Sequence, residues 1–215
     1  MTNAIRLLVT AGPTAEDIDA VRFLTNRSTG RMGLAVARAG AERGWTTTLV
    51  LGPVAATPPE DCVVVCVRSA ADMLAAVLER LPEHDLLVMT AAVADYTPAE
   101  PVAGKLRKKD GDLLLRLKRT EDILARVARH PHRPRMAVVG FSLDAEVNES
   151  EGRRKLEAKN LDGIVVNGVA TFGSDAINAR ILWRGGAVDD IDGWSKARLA
   201  GHLLDRARIL WEAKE

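Results

Sequence analysis

Apolar and polar positions along the chain fall into two alternating kinds of run. Short β-rich stretches occupy 5–10 (IRLLVT), 47–51 (TTLVL), 62–67 (CVVVCV), 85–92 (DLLVMTAA), 137–143 (AVVGFSL) and 163–167 (GIVVN). Between them, apolar residues at three- and four-residue spacing predict helices over 31–43, 70–81, 121–129 and 149–159. Strands apolar on both faces and separated by helices predict a parallel sheet covered on both sides, a doubly wound, Rossmann-like α/β fold. Such sheets bind ligands beyond the carboxyl ends of their strands. Two stretches break the rhythm: 105–118, with its alternating LLLRLK, and 180–191, with ILWR, Gly185-Gly186 and AVDDI. Both predict small antiparallel β-ribbons, the second a hairpin turning at the two glycines. Residues 195–213 predict a closing amphipathic helix. No repeat, low-complexity tract or linker interrupts the chain, so 1–215 reads as one domain.

Composition narrows the partners. Thirty Lys and Arg against twenty-nine Asp and Glu leave a formal charge of +1, so no overall field draws the chain toward nucleic acid or an anionic membrane. The N-terminus carries neither a signal-peptide pattern nor a long apolar span, which predicts a cytoplasmic location. Cys62 and Cys66 are expected to be buried thiols on one face of a strand. The spacing of His84, His130, His132 and His202 suggests no metal site, and surface roles are expected for them.

The candidate chemistry lies in the loops. The first strand runs into Thr10-Ala-Gly12-Pro-Thr14, and Asn26-Arg-Ser28-Thr-Gly30-Arg-Met-Gly33 opens the next helix. Small residues and hydroxyls at a helix N-terminus leave backbone N–H groups available to a phosphate, although Ser28 and Thr29 are equally suited to capping the helix. The spacing matches neither G-x-G-x-x-G nor the P-loop. Between these loops Arg22 is placed to clamp an anion and Asn26 to donate to a carbonyl oxygen as charge develops, unless both side chains simply cap backbone groups. Ala91 and Ala92 end the fourth predicted strand, and Asp95 stands just beyond its carboxyl end. Lys105, Arg107, Lys108 and Lys109 put four cations in five residues, which suits a triphosphate or a solvated surface. Lys155 and Lys159 would share one helix face, where an anionic ligand compensates their repulsion.

Taken together and in order, these segments closely resemble the phosphopantothenoylcysteine synthetase (phosphopantothenate-cysteine ligase) family. The resemblance is carried by TAGPT, the Asp19-to-Gly33 stretch, AAVADY from Ala91, the Lys105 cluster, Glu121-Asp-Ile-Leu124, Val139-Gly-Phe141, Lys155-Leu-x-x-Lys159-x-Leu-Asp162 and Asn167. It implies an amide ligase of coenzyme A biosynthesis that uses CTP, with ATP as the other possible nucleotide, and Mg²⁺. The acid is activated as an acyl-cytidylate. It further implies a homodimer with shared sites acting on small molecules, in a free-standing form with no flavin. Gly12, Ser28, Gly30 and Gly33 should line the nucleotide phosphates, and Phe141 and Asn167 the base or sugar. Lys105, Lys155, Lys159, Asp95 and Asp122 belong to the same region. Asn26, Ala91 and Ala92 should face phosphopantothenate, and Arg22 a neighbouring subunit's substrate, so Asn26, Arg22 and Lys105 are the expected catalytic set.

Three departures bear on specificity: Ser28-Thr-Gly-Arg where the family reads S-S-G-K, Thr120-Glu-Asp for N-P-D, and Gly140-Phe-Ser-Leu-Asp-Ala145 for G-F-A-A-E-T. A related ligase acting on a different carboxylate and amine is the alternative they leave open. A nicotinamide-dependent reductase is disfavoured, because Thr-Pro-Ala-Glu100 follows Tyr96 and the Tyr-x-x-x-Lys pair is missing. A nucleotide-binding module without activity would not require Asn26, Arg22 and Lys105 together.

Overall fold

The computed structural model describes residues 4–108, 110–169, 174 and 176–214. Its main sheet takes β1 (Arg6–Ala11), β4 (Thr46–Leu51), β5 (Val63–Cys66), β6 (Leu86–Met89), β9 (Ala137–Asp144), β10 (Gly163–Gly168), β11 (Ala176–Trp183) and β12 (Val188–Ser195). Two short ribbons stand outside it: β2 (Ala15–Asp17) with β3 (Phe23–Thr25), and β7 (Tyr96–Pro98) with β8 (Leu117–Arg119). The helices are α1 (Arg31–Glu42), α2 (Ala70–Arg80), α3 (Ile123–Ala128), α4 (Glu149–Ala158) and α5 (Lys196–Glu212).

The strand order is β12-β11-β10-β9-β6-β1-β4-β5. From β10 through β5 every pairing is parallel, and β11 and β12 extend the β10 edge antiparallel. The chain leaves β1 toward β4 and β5, then returns to the other flank of β1 with β6. The strand order therefore reverses between β1 and β6, where doubly wound sheets open a ligand crevice.

Alternation along the strands sorts the core into two layers. Leu7, Val9, Leu49, Val88 and Val139 pack with Val36 of α1 and Leu203 of α5, whereas Leu8, Val50, Leu87, Val138 and Ile164 pack with Met73 of α2, Val127 of α3 and Leu156 of α4. Each fully buried aliphatic side chain contributes about 1.5–3 kcal/mol, which is why the central strands tolerate no polar face. The predicted doubly wound sheet and the Gly185-Gly186 hairpin both appear, the turn glycines having φ 93° and 98°.

Other expectations need correction. Cys62 precedes β5 and is half-buried, and Cys66 is exposed, because β5 is the sheet's edge and lacks full cover. Burial pushes the Cys62 thiol up, with the nearby Asp61 charge adding to it. Within the expected 105–118 ribbon only Leu117–Arg119 forms a strand; Lys109 lies outside the described residues, and Leu113 and Leu114 are exposed. Alternation there meets no covering layer, so burial cannot enforce it.

His84 is not a surface residue but is buried at 5% exposure. Its Nδ1 lies 2.7 Å from the Arg80 carbonyl, which can only accept, so Nδ1 carries the proton and Nε2 accepts from Thr48 Oγ1 at 3.0 Å. Burial holds its proton affinity below the ordinary value of 6.5. The unfolded chain therefore takes up this proton at a higher pH than the folded one, so stability is full above about 6.5 and falls as pH drops below it. The unfolding free energy from urea titrations should decline as pH is lowered from 7.5 to 5.5, and His84→Gln should flatten that decline. Equal slopes in both proteins would remove His84 as the cause.

A second polar group is buried under the sheet. Asp162, with a side chain 3% exposed, accepts from Arg133 Nη2 at 2.8 Å and the Val138 N–H at 2.8 Å through Oδ2. Its Oδ1 accepts from Lys214 Nζ at 2.7 Å, tying the residues after α5 to the core.

Candidate active site

The capping pattern of the helices singles out one terminus. α2, α3, α4 and α5 begin at Ser69, Asp122, Asn148 and Ser195, each accepting a hydrogen bond from the first turn. α1 begins at Gly30 with φ 74° and no side-chain cap. The capping role considered for Ser28 and Thr29 is not realised; among the described residues Ser28 Oγ accepts from the Gly30 N–H alone, at 3.4 Å. A twelve-residue helix thus presents the positive end of its dipole with no acidic residue in its first turn and, among the described residues, no side-chain cap.

That terminus forms one wall of a cleft of about 570 Å³. Asn26, Ser28, Gly30 and Gly33 line this side, and Ala91, Ala92 and Asp95 line the end of β6. Phe141 from β9, Asn167 from β10 and Lys155 from α4 complete the predicted part of the lining. Sequence reasoning did not pick out Thr90, Val165, Ile177 and Lys196, although they line the cleft too. Thr90, Ile177 and Lys196 stand at or next to strand and helix ends and Val165 lies within β10, places that become informative only once the strand order is known.

The loops are welded by backbone contacts. The Ala92 carbonyl accepts from Thr14 N at 3.2 Å and from Asn26 Nδ2 at 2.8 Å, while the Ala92 N–H donates to the Gly12 carbonyl at 2.9 Å. Thr14 Oγ1 accepts from Ala94 N at 3.0 Å, and Thr10 Oγ1 from Ala91 N at 3.3 Å. The TAGPT hydroxyls are therefore spent on positioning β6's end and not on a ligand.

Five expected site residues do not line the cleft. Gly12 sits behind it, where its φ of 81° turns the chain beneath Gly30. Lys159 and Asp122 pair with each other at 2.8 Å, because α4 ends at Ala158 and the following Lys159 turns toward α3. Partial burial alone would raise the Asp122 pKa, but the Lys159 bond, the Ala125 N–H and the lysine charge outweigh it and lower it. Arg22 is held by Asp19, whose buried side chain accepts from Arg22 Nη2 at 2.5 Å and Nε at 3.1 Å. These bonds to Arg22, helped by backbone N–H groups, drive the Asp19 pKa far down. The same carboxylate accepts from Leu106 N at 3.0 Å, so it anchors the segment bearing Lys105, whose side chain is exposed. Arg22, in the β2–β3 turn, and Lys105, in the β7–β8 loop that Asp19 anchors, thus stand together outside the cleft. Among the described residues no three His, Cys, Asp or Glu side chains gather as a metal site.

This geometry coincides with a family match. The DNA/pantothenate metabolism flavoprotein C-terminal domain family matches residues 2–210. The chain belongs to this family. It is 40% identical over 209 residues to the coenzyme A biosynthesis bifunctional protein CoaBC of Bacillus subtilis, covering 95% of this chain and 51% of that protein. It is 38% identical over 213 residues to a cysteine/cysteine sulfinic acid decarboxylase of an unknown prokaryotic organism, covering 97% of this chain and 59% of that protein. The chain thus spans between half and three fifths of the length of these curated relatives. The crystal structure of the C-terminal domain of a CoaBC protein superimposes with a TM-score of 0.83 at 33% identity, covering 97% of this chain and 96% of that one.

Proposed function

We propose that this chain joins 4'-phosphopantothenate to cysteine, activating the acid with CTP as an acyl-cytidylate. The observation that carries the reading is the uncapped N-terminus of α1 in the wall of a switch-point cleft, with Lys155 on the same cleft. It is supported by a chain that matches the CoaBC C-terminal domain across nearly all of that domain's length. A phosphate-bearing ligand suits a helix dipole assisted by an ammonium group.

In this reading the carboxylate oxygen attacks the α-phosphorus and pyrophosphate leaves. The cysteine amine then attacks the acyl carbon, and CMP leaves with the bonding electrons. The first turn of α1 and Lys155 hold the phosphates. Asn26, pinned to the Ala92 carbonyl, and the backbone of Ala91 and Ala92 orient the acyl group. These groups act by positioning and by stabilising charge. The donor set does not fit a magnesium ion held by side chains, since Asp95 is the one carboxylate on the cleft wall among the described residues. No step is therefore assigned to the metal.

A homodimer accounts for Arg22 and Lys105 standing outside the cleft. Val21, Phe23, Tyr96, Leu113, Leu114 and Leu117 are exposed on the two ribbons and the loop between them, Leu114 at 93%. Apolar surface so concentrated is buried in an interface, which would carry Arg22 to a second copy's cleft. Leu114→Glu should convert a dimer to monomer in light scattering and lower the ligase rate; an unchanged dimer would move the interface elsewhere.

The test is pyrophosphate release with CTP or ATP, with and without phosphopantothenate, then with cysteine. Release that requires the acid, followed by CMP and the amide, is expected with CTP. Release that ignores phosphopantothenate, or no release from folded protein that binds nucleotide, would overturn the proposal.

A further inference from the structure

Ser142 lies on β9 beside Phe141, with its side chain buried at 4% exposure and its backbone in register with Val166 of β10. A serine in the interior of a parallel strand must satisfy its hydroxyl. It does so at the cleft: Lys155 Nζ donates to Ser142 Oγ at 2.9 Å, and both residues line the cavity. Lys155 has a second, competing partner. Glu151, one turn earlier on α4, lies 3.5 Å from the same ammonium. Glu151 is in turn engaged by Arg154, through Nε at 2.7 Å and Nη2 at 2.6 Å. The ammonium is thus suspended between a neutral hydroxyl on the cleft wall and a carboxylate on its own helix.

The two partners have opposite consequences for a phosphate ligand. A hydroxyl accepts one ammonium proton and leaves the positive charge uncompensated, with two N–H donors to spare. A carboxylate neutralises that charge and draws it along α4 away from the cleft. The distances favour the hydroxyl, and Arg154 keeps Glu151 occupied.

We infer that Ser142 is a positioning residue whose hydroxyl holds the Lys155 ammonium on the cleft wall, against the pull of Glu151, so that its full charge meets the nucleotide's phosphates. The inference rests on the proposed nucleotide-dependent reading of the cleft. Ser142 is one of the positions at which the chain departs from the pattern expected for its resemblance, G-F-A-A-E-T. The departure therefore adds a function to the site, because alanine at this position has no oxygen to offer Lys155.

Titration calorimetry with CTP, CMP and inorganic tripolyphosphate tests it on the full chain. Ser142→Ala should weaken CTP and tripolyphosphate by roughly tenfold, the worth of one hydrogen bond to a charged group, and CMP by less than about twofold. Ser142→Thr, which keeps the hydroxyl, should bind CTP like the parent. Adding Glu151→Gln to Ser142→Ala should recover most of the loss by removing the competitor. In a Lys155→Met background, Ser142→Ala should have no further effect. Equal weakening of CMP and CTP, additive losses with Lys155→Met, or no recovery with Glu151→Gln would each overturn the assignment.

A ligand-free readout separates this from the ligase reading. The Lys155 ammonium ¹H–¹⁵N signal, slowed in exchange by its hydrogen bond, should be visible in the parent and lost in Ser142→Ala. If neither CTP nor ATP binds the parent, the ligase reading fails, and this signal alone decides whether Ser142 holds Lys155: persistence in Ser142→Ala refutes it.

Discussion

Gly33→Ala should lower kcat/KM for CTP, the nucleotide of the proposed reaction, by about 100-fold, the scale of a displacement of about 1 Å at a reacting centre. A Cβ at Gly33 would stand 2.4 Å from Ala11 Cβ and 2.5 Å from Thr90 Oγ1, and 3.0 Å from the Ala11 Cα. Neither neighbour can retreat. Ala11 ends the central strand β1, and Thr90 Oγ1 donates to the Thr10 carbonyl at 2.7 Å. The first turn of α1 must therefore lift off the ends of β1 and β6, taking the N-terminus that faces the cleft with it. Overpacking of this kind also costs about 1–3 kcal/mol of stability. The measurement pairs steady-state kinetics with urea unfolding. A variant that unfolds in one transition but has lost its CTP affinity supports the placement of the phosphates at this turn. Unchanged kinetics in a folded variant would put the phosphates elsewhere in the cleft.

Asp162→Ala has the largest expected effect on stability, a loss of about 3–5 kcal/mol, because it leaves buried cations without a counter-charge. Arg133 donates to the carbonyls of Met136, at 2.8 Å, and Asn160 as well as to Asp162, so its side chain cannot swing out to water without breaking all of them. Burial already pushes the Arg133 guanidinium down, and Asp162 is the group that offsets it. Burial acts in the same direction on Lys214, again with Asp162 opposing. The urea midpoint should fall accordingly. Replacing Arg133 and Asp162 together with Met and Leu should cost less than the sum of the single changes, since no orphaned guanidinium is then left. A loss within about 1 kcal/mol for Asp162→Ala would mean that water reaches the pair and solvates it.

The β2–β3 arm shows where reading from sequence stops. Its strands have three residues each, too few for a period of two to register, so the Asp19-to-Asn26 stretch reads as a polar loop. Its hairpin is instead set by Asp19, which collects the N–H groups of Val21 and Arg22 at 2.9 and 2.7 Å. Lys155 and Lys159 teach the same lesson at the site. Four-residue spacing puts both on one face only while the helix continues, and α4 ends between them. The surface role expected for His84 fails because its position before β6 says nothing about the layer that covers it.

By itself the chain's sequence determined the order of strands and helices, since two-sided apolar runs can be satisfied only between two covering layers. It also determined the small residues and polar side chains of the cleft loops. Tertiary structure alone decided which of those residues meet. The return of β6 beside β1 created the crevice, the TAGPT hydroxyls were consumed in welding it, and Ser142 was brought within reach of Lys155. Such pairings join residues through strand order and helix end points, and these depend on long-range packing energies to which no local spacing responds.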